Sequence, residues 1–213
     1  MTKAPSPRTS PRTRLRRLPE KAAYDRATIE AILDAQPLAH IGHLVDGFPV
    51  VTPTLQWRQG DRVYWHGSAA SRMVRAATGQ PVSLTVTLLD GLVLARSGLE
   101  HSVNFRSVMV FGTAEPVTDP ATKAHHLEVM IDQMFPGRWA QLRPMTTQEL
   151  KATAILSLPL TEVSAKIGAG MPTDLPQDMG WPVWAGIIPL RQIADAPQPD
   201  GPPLGPLPTL RRF

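Results

Sequence analysis

Two apolar runs, 38–45 and 48–57, are separated only by Asp46-Gly47, and this spacing constrains the fold more than any other feature of the chain. A two-residue link whose positions tolerate positive φ closes a type I′ hairpin, so the two runs are predicted to be antiparallel neighbours. Asp90-Gly91 repeats the signal between 82–89 and 92–97. Gln59-Gly60-Asp61 sets off a further strand at 62–66, and a long β-rich run covers 105–117. Two shorter strands are expected at 154–158 and 162–166, with a last one at 184–190. Parallel strands would need long crossovers between them, and these links are too short to supply any.

Helices fall at the flanks. Asp25 is placed to cap a short helix whose Ile29, Ile32 and Leu33 share one face, and Pro37 ends it. Asp119-Pro120 opens the best helical stretch, with Ala124, Leu127, Met130, Ile131 and Met134 as its buried stripe and Pro136-Gly137 as its stop. Thr146 and Glu149 have capping-box spacing for another. Strands with hairpin signals and peripheral helices imply an antiparallel barrel, mainly β with flanking helices.

Composition narrows the chemistry. The chain has no cysteine, which removes thiolate nucleophiles, disulfides and cysteine-ligated metals. No apolar run approaches the length of a membrane helix, and the N-terminus lacks the apolar centre of a secretory signal. A cytoplasmic protein without membrane contact is expected. The net charge of +4 comes mostly from Arg8, Arg12, Arg14, Arg16, Arg17, Arg211 and Arg212 near the two ends. The remaining core is near neutral, so no nucleic-acid surface is expected. Prolines crowd both ends. The domain reading is a disordered basic tail over 1–19, a folded unit over 20–192, and a Pro-rich tail over 193–213.

Several familiar motifs fail on geometry. His40 and His43 lie three apart in a strand and face opposite sides. His125 and His126 are adjacent on a helix and are expected to face solvent. Gly168-Ala169-Gly170 lacks the third glycine of a dinucleotide fingerprint and runs into Pro172. Glu100-His101-Ser102 has triad residue types, but adjacent residues cannot form the relay. No metal site is expected.

One cluster survives. His66, Gly67 and Ser68 end a strand, and Ser71-Arg72 begins a short helix. Free N–H groups, two hydroxyls and a guanidinium fork suit an anion, at roughly 1.5–3 kcal/mol per charge-assisted hydrogen bond. Thr52, Pro53, Thr54 and Leu55 on one strand, and Asn104, Arg106 and Ser107 at the start of another, complete a set of polar strand-end residues.

Residues 21–190 resemble the pyridoxamine 5′-phosphate oxidase-like split-barrel superfamily, nearest its flavin-nucleotide-binding branch, which includes the nitroimidazole-resistance proteins. The stretches that carry the resemblance are Tyr-Trp-His-Gly-Ser-Ala-Ala-Ser-Arg at 64–72, Val-Thr-Leu-Leu-Asp-Gly-Leu-Val-Leu-Ala-Arg-Ser at 86–97, His-Ser-Val-Asn-Phe-Arg-Ser-Val at 101–108 and Val-Trp-Ala-Gly-Ile-Ile-Pro-Leu at 183–190.

The resemblance implies a six-stranded antiparallel Greek-key split barrel and a homodimer with FMN at the interface. It implies that Ser71 and Arg72 grip the flavin phosphate, with Ser68 beside them. Thr52, Pro53, Thr54 and Leu55 would run along the isoalloxazine, and His66 and Gly67 beside the ribityl chain. Arg106 and Ser107, with Asn104 nearby, would supply further contacts. Trp184 would reach the flavin from the second subunit. Trp57 and Trp65 are read as packing residues, and His101 as either a neighbour of the substrate pocket or a solvent-exposed histidine.

Two departures matter. Met73 stands where the oxidase has a basic residue, and the last stretch carries no histidine of the kind that holds pyridoxal phosphate. The function implied is an FMN-dependent oxidoreductase acting on a small molecule, with NAD(P)H as a candidate reductant and no catalytic side chain assigned. The alternatives are a flavin-storage protein, or the same barrel holding deazaflavin or haem.

Overall fold

The computed structural model describes residues 9–201, 205, 207 and 209–211. Its strands are β1 (Ala22–Ala23), β2 (Leu38–Val45), β3 (Phe48–Gln59), β4 (Arg62–Ser68), β5 (Pro81–Leu94), β6 (Ser102–Thr113), β7 (Glu115–Pro116), β8 (Thr153–Pro159), β9 (Val163–Gly168) and β10 (Gly186–Pro189). Four α-helices accompany them: α1 (Arg26–Ala35), α2 (Arg72–Ala77), α3 (Pro120–Met134) and α4 (Thr147–Ala152). All strand pairings between these elements are antiparallel, in the order β1-β9-β6-β5-β2-β3-β4-β8-β7, with β10 joined to β5. Ten strands stand where six were expected; three of them, β1, β7 and β10, are short, with two to four residues each.

β3 explains why the barrel is split. Its first half pairs with β2, Phe48 opposite Val45 through Leu55 opposite Leu38. Its last four residues pair with β4, from Gln56 opposite Trp65. Asp46 (φ 51°) and Gly47 (φ 80°) both take the left-handed backbone that the type I′ hairpin requires. The interior side chains Ile41, Leu84, Val86, Val108, Val110, Val163 and Ala165 are fully buried, with α1 covering them through Ile29, Ile32 and Leu33. Each aliphatic side chain so buried contributes about 1.5–3 kcal/mol. A second core joins Trp57, Tyr64 and Ile155 to Leu127 and Met130 of α3.

The caps act as read from the sequence. Asp25 accepts from Thr28 N–H, Asp119 from Thr122 N–H, and Thr146 with Glu149 forms the reciprocal box. Two readings are corrected. Asp90-Gly91 is not a hairpin turn: β5 runs through it with a bulge between Leu89 and Gly91. Asp-Gly in a strand also marks a bulge where another backbone comes close, and an ideal Cβ on Gly91 would lie 3.1 Å from the Ile188 carbonyl oxygen of β10. His126 does not face solvent. It is buried, with its ring centroid 4.3 Å from that of Tyr64 and Nδ1 2.8 Å from Gln59 Oε1, while His125 is exposed.

Part of the segment expected as a basic tail lies against the barrel. Glu162 accepts two hydrogen bonds from the Arg12 guanidinium, at 2.7 and 3.0 Å, and one from Ser10 Oγ, while Thr13 is buried. Among the described residues, no helix is long and apolar enough to cross a membrane.

Candidate cofactor site

The site begins where β4 ends. β4 pairs with β8 to its last residue, Ser68 opposite Thr153, and the chain then turns into α2. Ser71 is the N-cap and accepts from Val74 N–H at 3.1 Å; Ser68 Oγ accepts from Ala70 N–H at 3.2 Å. Both hydroxyls keep their own proton to donate. Gly67 is required by packing: a Cβ there would stand 3.2 Å from Val74 Cγ2. Arg72, the first residue of α2, is exposed and has no hydrogen-bond or ion-pair partner among the described residues, as is also true of Arg75. Met73, in place of a basic residue, packs against the main core.

β3 brings its share to this corner. Thr54 Oγ1 donates to the His66 carbonyl at 3.3 Å, which ties the two strands at the level of the site. Thr52 and Thr54 pair with Ile41 and Ala39, which are interior residues, whereas Pro53 and Leu55 pair with the exposed His40 and Leu38 on the outer face. Burial lowers the His66 imidazole from its ordinary value, so His66 is neutral at physiological pH. Its Nδ1 is buried without a hydrogen-bond partner.

The structure therefore brings together Thr52, Thr54, His66, Gly67, Ser68, Ser71 and Arg72. The remaining predicted residues lie elsewhere on the sheet. β3 and β6 are three strand spacings apart in the sheet order, roughly 14 Å. On β6, Arg106 makes a two-pronged salt bridge to Asp90, at 2.7 and 2.9 Å, and Ser107 Oγ donates to the Lys166 carbonyl at 3.3 Å. Asn104 donates to the Gly170 carbonyl, and Trp184 is 61% exposed beside β10. Sequence reasoning missed the Asp90 partner of Arg106, because Asp90 reads as a turn residue.

It also missed the strap over 169–185 that closes this end of the sheet. Asp174 accepts from the Arg96 N–H at 2.7 Å and from its guanidinium at 2.9 Å. Thr173 donates to Glu100 at 3.1 Å. Burial opposes the charge of Asp174, yet the hydrogen bonds from Arg96 outweigh it and hold the carboxyl below its ordinary value. An acidic residue in a Pro- and Gly-rich loop gives no sequence signal of such a contact.

The family described as "Pyridoxamine 5′-phosphate oxidase" matches residues 25–167 of the sequence. The chain belongs to the pyridoxamine 5′-phosphate oxidase family. Among solved structures of similar fold is the flavocytochrome Anf3 from Azotobacter vinelandii, 48% identical, with 94% of each chain covered and a TM-score of 0.89. Another is the FAD and heme binding protein from Mycobacterium smegmatis, 38% identical over 88% of this chain and 94% of that one, TM-score 0.81. A candidate 5-nitroimidazole antibiotic resistance protein from Bacteroides thetaiotaomicron shares the fold at 19% identity, covering 68% of this chain and 86% of its own, TM-score 0.56. No curated protein matches the sequence.

Proposed function

We propose that this chain is a flavin-binding redox protein that also carries haem, and that it works as an oxidoreductase on a small molecule. The observation that carries this reading is the 48% and 38% identity, over nearly the whole chain, to a flavocytochrome and to an FAD and heme binding protein. The resemblance of the sequence alone implied FMN. The FAD-binding relative supports the dinucleotide, and the mass of the released cofactor separates the two.

The residues at the β4–α2 corner fit a flavin phosphate. Arg72 offers an unengaged guanidinium fork, and Ser68 and Ser71 offer hydroxyl protons beside it. With Met73 apolar, Arg72 carries the charge contact alone. Thr54 donates to the His66 carbonyl at this end of β4, and His66, held neutral by burial, adds no charge next to a flavin ring. When bound, the flavin supplies hydride-level chemistry and the haem supplies one-electron transfer; the protein supplies anchoring, orientation and electrostatics.

A homodimer is part of the same proposal. The outer face of β2 and β3 leaves Leu38, Leu44 and Val51 exposed, an apolar surface of the kind that marks an interface. In that dimer Trp184 of one copy would reach the flavin held by the other.

The purified protein is expected to be coloured, with flavin bands and a Soret band, and the flavin bands are expected to bleach under NAD(P)H without oxygen. A coloured protein that no nicotinamide or dye reduces would reject the oxidoreductase and leave a storage protein.

A further inference from the structure

We propose that His101 is the axial ligand of a haem lying on the β10–β5–β6 end of the sheet, an inference that rests on the haem-carrying reading above. The register builds the platform. Ile188 pairs with Leu92, and Leu92 with Val103, so these three side chains share one face. All three are exposed, at 44, 38 and 41%. Gly186 pairs with Leu94 on that same face, two residues further along β5. The Trp184 ring occupies the side-chain space of Gly186: an ideal Cβ there would lie 2.9 Å from Trp184 Cζ2. Ser102, at the start of β6, pairs with Val93, and His101 immediately precedes it. The exposed apolar residues are thus bordered by the Trp184 indole, with His101 at the adjoining start of β6.

The histidine has the form a ligand needs. His101 Nδ1 lies 2.9 Å from the Ser97 carbonyl oxygen, an acceptor that fixes the proton on Nδ1 and leaves the Nε2 lone pair free. Its ring is exposed.

The other five histidines fail on at least one count. His40 has no hydrogen bond to orient its ring and stands on the face proposed for the second copy. His43 has its Nδ1 3.2 Å from the Ile41 carbonyl but is only 5% exposed. His66 would need its proton on Nδ1, where it would be buried without an acceptor. His126 is only 8% exposed, and His125 has its Nε2 taken by Gln59 Nε2 at 3.3 Å.

Hemin titration of the full chain tests this by absorbance and electron paramagnetic resonance. Wild-type protein is expected to bind hemin with a sharpened Soret band and a histidine-ligated spin state. His101→Ala is expected to bind roughly tenfold or more weakly, with a shifted Soret band and an altered spin state, and added imidazole is expected to restore the wild-type spectrum. His43→Ala and His125→Gln are expected to keep it. A wild-type spectrum and affinity in His101→Ala would overturn the assignment, as would loss confined to His43→Ala or His125→Gln. Wild-type protein that binds no hemin would instead reject the haem-carrying reading itself.

Discussion

His66 shows how one residue's environment sets a measurable pH dependence. Burial lowers its folded-state value, and the same holds for His126, where burial and the charge of His125 act together. The unfolded chain therefore binds protons more readily than the folded one as pH falls through the ordinary imidazole range near 6.5, so stability decreases on acidification. Urea denaturation between about pH 5 and 8 is expected to show this slope, and His66→Gln is expected to flatten it. An unchanged slope in the variant would mean that His66 is not held neutral. At this scale the sequence was informative wherever a residue acts through its neighbours in the chain, as Ser71, Asp25 and Asp119 do when they cap. It was silent on Arg106–Asp90 and Arg96–Asp174, because 16 and 78 residues separate the partners and only the fold brings them together.

Elements were legible for the same reason. Asp46-Gly47 fixed β2 and β3 because two residues leave room for only one kind of connection. Asp90-Gly91 misled because the same dipeptide serves a bulge, and which of the two forms depends on β10, which arrives nearly a hundred residues later in the chain. Gly91 leaves room for the Ile188 carbonyl, so Gly91→Val is expected to lift β10 from β5 while leaving the β5–β6 ladder in place. Hydrogen exchange should then accelerate at Ile188 and at Leu190, whose N–H donates to the Asp90 carbonyl, and stay slow at Val108 and Val110. Slow exchange at all four would show that the close approach at Gly91 is not what holds β10. The barrel itself was readable from strand spacing, and β10 falls within the strand expected at 184–190, but the two-residue strands β1 and β7 were not separable, since two residues carry no periodicity.

At the scale of the whole molecule, the outer face of β2 and β3 is the feature a lone chain explains least. Leu44 is 60% exposed and Val51 65%, on a sheet whose other side is a closed core. If a second copy covers this face, Val51→Glu would place two charges in an apolar contact, where an unpaired charge is costly. Sedimentation is expected to give a dimer for the wild type and a monomer for Val51→Glu. A wild-type monomer at micromolar concentration would remove the second copy from the account, and a dimeric variant would move the interface elsewhere.

The account depends most on the anion corner at the end of β4. Flavin content measured after purification, in Arg72→Ala and Arg75→Ala side by side, tests that corner directly, because both arginines are exposed on α2 and only the first stands at its start. Arg72→Ala is expected to lose most of its flavin while Arg75→Ala retains a wild-type amount. Equal retention in both, or equal loss, would contradict a phosphate held by Arg72.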